Sequence, residues 1–447
     1  MTSPDHDPAR RRLLGSALAM AATGALASCA PGSVSRPGRP RTVPDPAAYL
    51  RTSWSADPFA RCSYSYLAPS GLGARARAVL AAPVAERLFF AGEATSSEAP
   101  ATTHGALESG RRAAAQVTDV AEEGERVAIV GSGFAGIGCA RALVDEGYRV
   151  TVLEGRDRVG GRVWTRRIAG APAEMGASWI HGSSGNVLTG ILEHTGDPRH
   201  TFDYDNSTGG NDEAMRELAR YERKLDDVED PDEATIASVT PQRPSAALRT
   251  ALTINYPLEY AAEPRQLSVT ATLEGRSPEG PDLLLPLGYD RLLAHIRGDI
   301  PVRTRQVVTG IRYGPKGVTV ALRDGSTVRA DRVVVTVPIG VLKASAIDFE
   351  PALPDGKQEA VRALGAGLLD KLWLAFPRPF WDEDADVIEW FDPDDPGLWS
   401  WWVNGYKAFG EPVLLGLNGG DHARRLAGAG DEECVAGAMR ALHRMHR

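Results

Sequence analysis

Cysteine is rare in this sequence. Four residues, Cys29, Cys62, Cys139 and Cys434, show neither paired nor metal-ligand spacing, which excludes a disulfide framework and a zinc centre as the basis of the fold. Beyond the N-terminal segment no apolar run reaches the ~20 residues of a membrane-spanning helix. Positive charge is in deficit: 50 Lys+Arg against 58 Asp+Glu leave a net charge of −8 and a pI near 5.7. That balance argues against nucleic acid, whose binding needs a basic footprint. Lysine is scarce among the cations, so a lysine inside an apolar run stands out. No Ser-His-Asp arrangement, catalytic thiol or metal cluster is legible. What is present is ordinary: 43% hydrophobic and 24% charged residues, as in a soluble globular protein. With 447 residues the chain can bury a large core, as two interleaved domains.

Residues 1–45 read as an export signal and linker. Arg10, Arg11 and Arg12 precede an apolar run too short to span a bilayer, followed by small residues, which is signal-peptide architecture. Arg10-Arg11-Arg12-Leu13-Leu14 resembles a twin-arginine signal. Leu26 to Cys29 resembles a bacterial lipoprotein cleavage box, which would make Cys29 a lipid anchor on the outer face of the cytoplasmic membrane. The plainer alternative is an uncleaved basic-apolar tail. A Pro/Gly/Ser linker follows.

The chemistry-bearing motif is RVAIVGSGFAGIG, Arg126 to Gly138. A short buried strand enters Gly131-x-Gly133-x-x-Gly136, a helix runs to about Glu146, and a second strand ends at Glu154. Gly131 permits the tight turn, Gly133 lets backbone approach a pyrophosphate, and Gly136 lets the helix pack on the strand. The helix N-terminus offers N–H groups and partial positive charge to phosphate. Glu154 stands near the offset at which a carboxylate bonds ribose hydroxyls. The alternative, a Gly-rich loop of an unrelated α/β protein, does not account for strand, helix, second strand and carboxylate in register.

The string that follows, Glu154-Gly155-Arg156-x-Arg158-x-Gly160-Gly161-Arg162, resembles the flavin signature of the amine oxidase superfamily, in its polyamine oxidase and lysine-specific demethylase branch. The resemblance extends over nearly the whole mature chain. It implies an α/β fold in which a Rossmann-like FAD-binding domain is interleaved with an α+β substrate domain. The implied division is 46–182 and 281–345 for FAD, 183–280 and 346–447 for substrate. It also implies a circular permutation. VPDPAAYLRTSWSADPFARCSYSYLAPSG and LFFAGEATSSEAPATTHGALESGRRAA resemble the family's last ~75 residues, yet stand before its first strand. A polar joint, roughly Thr118 to Glu125, would link them. A sequence-assembly error is the competing account.

Carried over residue by residue, the resemblance implies FAD contacts at Gly131, Gly133, Phe134, Ala135, Gly136, Glu154, Gly155, Arg156, Gly161 and Arg162. It adds Gly176, Ala177, Ser178 and Trp179 from ASWIHG, and Val307 near the adenine. From the displaced segment come Trp54, Tyr64, Gly92, Glu93, Ala101, Thr102 and Ala106. The helix beginning near Gly105 would direct its N-terminus at the flavin, favouring the reduced form. Lys371 would reach the flavin through a water, and Tyr64, Thr102 and His181 would complete the catalytic set. A strand-end lysine, and a histidine serving only structure, are the plain alternatives. Ser63 stands where monoamine oxidases carry a flavin-linked cysteine, and Cys62 would face away along a strand, so FAD is expected to be non-covalent.

The partners implied are a small-molecule amine and O2. Ser178-Trp179 replaces the arginine that holds a carboxylate in amino-acid oxidases, which favours a primary or secondary, polyamine-like substrate. An L-amino-acid oxidase, another FAD-dependent desaturase and a non-catalytic exported FAD-binding protein remain as alternatives. The acidic, Trp-rich run from Phe380 to Tyr406 reads first as a solvated loop and second as a cation-attracting mouth.

Overall fold

The structure, a computed structural model, describes residues 42–276 and 279–446. The export signal and Cys29 lie outside the described residues. Among those described, no helix is long and apolar enough to cross a membrane.

One layer is a five-stranded parallel sheet in the order Val302–Arg303, Arg149–Leu153, Arg126–Val130, Arg332–Val335, Leu88–Phe90. Its central strands, RVAIV and RVVV, are near-continuous apolar runs, as burial on both faces requires. Helices Phe134–Asp145 and Thr103–Thr118 pack together against it. Glycine makes that contact possible, since a Cβ on Gly110 would stand 2.1 Å from Ala135 O. An antiparallel meander, Val308–Gly314, Gly317–Leu322 and Thr327–Ala330, covers the sheet with Val308, Ile311, Val318 and Val320 turned into the shared core.

The second layer is a six-stranded mixed sheet: Ala48–Arg51, Leu369–Ala375, Val413–Gly419, Trp401–Asn404, Val387–Glu389 and Ser207–Thr208. It corrects two expectations. The boundary drawn at residue 46 assigns Ala48–Arg51 to the flavin part, whereas this strand pairs antiparallel with Leu369–Ala375. The Trp-rich run is not mainly a solvated loop. Its Val387–Glu389 and Trp401–Asn404 segments are fully buried strands, and the exposed residues are Asp382–Asp384 before the first strand and Pro393–Asp394 between the two. The apolar residues there outweigh the charges, which the turns collect.

Both ends of the described chain meet in this layer. Val43 shares a core with Ala438 and Leu442 of the last helix, Asp431–Met445. Arg51 adds a 2.7 Å ion pair to Asp431 and donates to Leu426 O and Ala429 O.

Candidate active site

A cavity of about 400 Å³ runs between the two layers. At one end lies the glycine turn. Gly131 has φ +108°, and a Cβ there would sit 2.5 Å from Thr336 Oγ1. No side chain caps the helix Phe134–Asp145, so its first-turn N–H groups remain available at the cavity wall. Glu154 is held by Ser132, whose N and Oγ donate to Oε2 at 3.0 and 2.7 Å, and by Arg156 N, which donates to Oε1. Gly131, Gly133, Phe134, Ala135, Glu154, Gly155, Arg156, Gly161, Arg162 and Val307 all line this cavity. Gly136 does not. A Cβ at Gly136 would meet Gly131 O at 2.0 Å, so its place is behind the turn, in helix packing rather than cofactor contact.

The displaced segment supplies the facing wall: Trp54, Ser63, Tyr64, Gly92, Glu93, Ala101, Thr102 and Ala106. Glu93 anchors it. Its carboxylate accepts from Arg162 Nη1 at 2.9 Å, Ser65 Oγ at 2.6 Å and Ala101 N at 3.1 Å. Burial pushes its pKa up, but Arg162 and Arg77 outweigh this and hold it below the usual carboxylate range. Arg77 is fully buried, donates to Ser65 Oγ and is itself paired with Glu274 at 2.6 Å. Thr102 is the N-cap of the helix Thr103–Thr118, accepting from Gly105 N, so that helix begins within two residues of Gly105 as expected. Ser63 faces the cavity, whereas Cys62 is buried in the apolar core; neither belongs to a strand, which begins at Tyr64.

Gly176 lies where these walls touch. A Cβ there would stand 1.6 Å from Arg162 O, closer than backbone atoms can approach. Gly176→Ala is therefore expected to cost about 1–3 kcal/mol and to weaken flavin retention, read as a lower melting temperature and loss of yellow colour on desalting.

At the far end Lys371 is buried inside the strand Leu369–Ala375. Its Nζ bonds Glu174 O, Gly176 O and Ser178 Oγ and lies 5.6 Å from the Trp179 ring centre. Burial drives its pKa well below the usual lysine value, and Glu174 opposes that shift. Glu174, buried in turn, is pushed up by desolvation although it accepts from Tyr289 N and Thr165 Oγ1. His181 stacks on Trp179, and its Nδ1 pairs with Asp282 Oδ2 at 2.6 Å. Asp282 also accepts from Gly182 N and the Tyr204 hydroxyl. Tyr64 lines the cavity, with its hydroxyl donating to Glu259 O at 3.0 Å. Gly176, Ala177, Ser178 and Trp179 complete this wall.

Sequence reasoning missed Glu174, Asp282, Tyr204, Glu389 and Arg77. For Glu174 a signal exists: it is the lone carboxylate in the small, apolar run Ala171 to Gly176.

A parallel dinucleotide-type sheet joined across one cavity to a mixed sheet bearing a buried lysine defines a flavin-dependent oxidoreductase of the two-lobed kind. The family model described as "Flavin containing amine oxidoreductase" matches residues 16–118, 134–231 and 222–447, and the chain belongs to this family. It is 31% identical over 354 residues to "Polyamine oxidase 4" of Oryza sativa subsp. japonica, covering 71% of this chain and 72% of that protein. It is 32% identical over 356 residues to "Polyamine oxidase 2" of Arabidopsis thaliana, covering 71% and 72%. A rice protein called "Lysine-specific histone demethylase 1 homolog 3" is 29% identical over 349 residues, 71% of this chain but 43% of its own length. In fold the chain is similar to putrescine oxidase, solved in its wild-type form bound to putrescine, at TM-score 0.57 and 22% identity, covering 72% of this chain and 81% of that one. This chain is an FAD-dependent amine oxidase.

The residues at the glycine turn fit FAD. The open helix N-terminus suits a pyrophosphate, and the Glu154 carboxylate on the cavity wall is the type of group that bonds a ribose hydroxyl.

Proposed function

We propose that the substrate is a polyamine-like primary or secondary amine, oxidised beside Lys371 to an imine that hydrolyses to an aldehyde. The single observation that carries this is Lys371, buried in the same cavity as the glycine turn and bonded to the Ser178 loop. The residues at the glycine turn and Glu93 wall would hold FAD, which when bound would supply the two-electron oxidant for the carbon next to nitrogen, with O2 as final acceptor and H2O2 as product. The protein binds, orients and excludes water. With its proton affinity lowered, Lys371 at neutral pH can act as a neutral amine. It then keeps two donors for Glu174 O and Gly176 O, and its single lone pair is open to a water once Ser178 Oγ–H turns away from it. Such an amine can take a proton from a neighbouring water. Asp282 fixes the His181 ring, leaving Nε2 for the cavity side. The helix N-terminus capped by Thr102 favours negative charge at the wall it meets. Ser178 and Trp179, where amino-acid oxidases carry an arginine, favour an amine without a carboxylate.

Hydrogen peroxide release from polyamines, monoamines, L-amino acids and apolar polycyclic compounds tests this. Peroxide from amines supports the proposal, and turnover confined to amino acids or polycycles sinks it. Acid precipitation of the same yellow sample should leave all flavin in the supernatant, as a non-covalent cofactor requires.

We further infer that the segment order is a circular permutation of the family's. Support comes from the packing of Val43 against Leu442 and from Leu88–Phe90 forming the sheet edge beside Arg332–Val335. A rearranged gene starting at Glu125 and joining residue 447 to residue 42 should give a yellow protein with unchanged activity. An insoluble or colourless product would contradict this inference.

A further inference from the structure

Glu93 stands on the cavity wall, where Arg162 pairs with its Oε1. A second cation reaches the same carboxylate from behind the wall. Arg77, in the helix Arg75–Ala81, is fully buried. Its guanidinium forks onto Glu274, Nε to Oε2 at 2.6 Å and Nη2 to Oε1 at 2.8 Å. Its Nη1 donates to Ser65 Oγ at 2.8 Å and to Ala94 O at 3.3 Å. A guanidinium has donors and no acceptor, so the Ser65 hydroxyl must meet it with a lone pair. The single hydroxyl proton is thereby directed to Glu93, whose Oε2 lies 2.6 Å away.

Glu274 comes from the other side of the seam. Its segment packs on the loop that carries Pro100 and Ala101, two residues of the cavity wall. Arg276 N donates to Glu98 O at 2.8 Å, and a Cβ on Gly275 would stand 3.1 Å from Pro100 Cδ. The remaining titratable groups around Glu93 are otherwise engaged. Arg112 gives its Nη donors to Phe90 O, Thr95 O and Thr95 Oγ1. Burial keeps Cys62 and Tyr64 protonated.

We propose that Arg77 is a positioning residue for FAD: anchored by Glu274, it turns the Ser65 hydroxyl onto Glu93 and keeps that carboxylate ionised and aimed at Arg162. An Arg77 that only tied Glu274 to its helix would leave Glu93 unaffected. The two roles separate with pH. Arg162 and Arg77 together hold Glu93 below the usual carboxylate range against burial. Without Arg77 burial is less opposed and the value rises. FAD retention is then full above the raised value and lost as pH falls through it.

The test is the FAD dissociation constant of the holoprotein, read from protein-bound flavin after ultrafiltration. Between about pH 8 and about pH 5 it should change less than about threefold in wild type and rise about ten- to a hundredfold in Arg77→Met. Arg77→Met also strands the Glu274 carboxylate, so a second variant, Arg77→Met with Glu274→Gln, removes both charges. It should recover melting temperature at the upper pH and still lose FAD at the lower one. Glu274→Gln alone and Arg77→Lys both keep a cation behind Ser65 and should follow wild type. In a Glu93→Gln background, Arg77→Met should add no pH dependence, because the titrating group is gone. A flat profile in the double variant would overturn the proposal. So would a Glu274→Gln or Arg77→Lys profile as steep as that of Arg77→Met, or a rise that persists in Glu93→Gln.

Discussion

Lys371→Met is expected to leave a folded, yellow protein whose flavin is reduced by amine roughly 10²–10⁴-fold more slowly. Methionine matches the length of the buried stem but removes every donor that now meets Glu174 O, Gly176 O and Ser178 Oγ. The pH profile carries the sharper signature. Burial lowers the Lys371 pKa, so its neutral form is populated as pH rises through that lowered value, and the reductive rate should climb across this interval. The climb should vanish in Lys371→Met. Glu174 opposes the shift, so Glu174→Gln should move the climb to lower pH. Stopped-flow reduction across pH reads both. An unaltered profile in Lys371→Met would show that another group sets it.

The second large effect is expected at the joint between the displaced segment and the glycine turn. Arg162→Met removes the cation that donates to Glu93 at 2.9 Å and leaves a buried carboxylate with less compensation. Breaking such a pair costs about 3–5 kcal/mol. Flavin should be lost on gel filtration, since Arg162 and Glu93 both line the cavity. The sign of the pH effect follows from the depressed Glu93 pKa. Its stabilisation is full above the unfolded-state carboxylate value and is lost as pH falls through the lower folded value. In Arg162→Met the folded value rises, so acid unfolding should begin at higher pH. Melting temperature against pH, with and without added FAD, measures this. Equal acid sensitivity in variant and wild type would contradict the role given to the pair.

The glycine turn was legible because its requirements are local. Gly131 needs a positive φ, Gly136 needs close approach, and Glu154 follows at fixed spacing, so residue type alone reports the geometry. Lys371 was legible because a charge inside an apolar strand is rare. Glu389 and Asp282 were not, since their meaning depends on what the fold sets beside them: an indole on a neighbouring strand in one case, His181 about a hundred residues away in the other. The Trp-rich run misled for a related reason. Its acidic turns dominate the composition, while Trp401–Asn404 is buried by pairing with Val413–Gly419 and Val387–Glu389 by pairing with Trp401–Asn404 in turn. Gly136 shows the converse, a motif residue whose duty is packing rather than contact.

Anaerobic mixing of the purified yellow protein with amines tests the central claim most directly. Polyamines and diamines should bleach the oxidised flavin absorbance in a single turnover, and L-amino acids and apolar polycyclic compounds should leave it intact. Bleaching by amino acids alone, or a flavin that no amine reduces, would contradict the account.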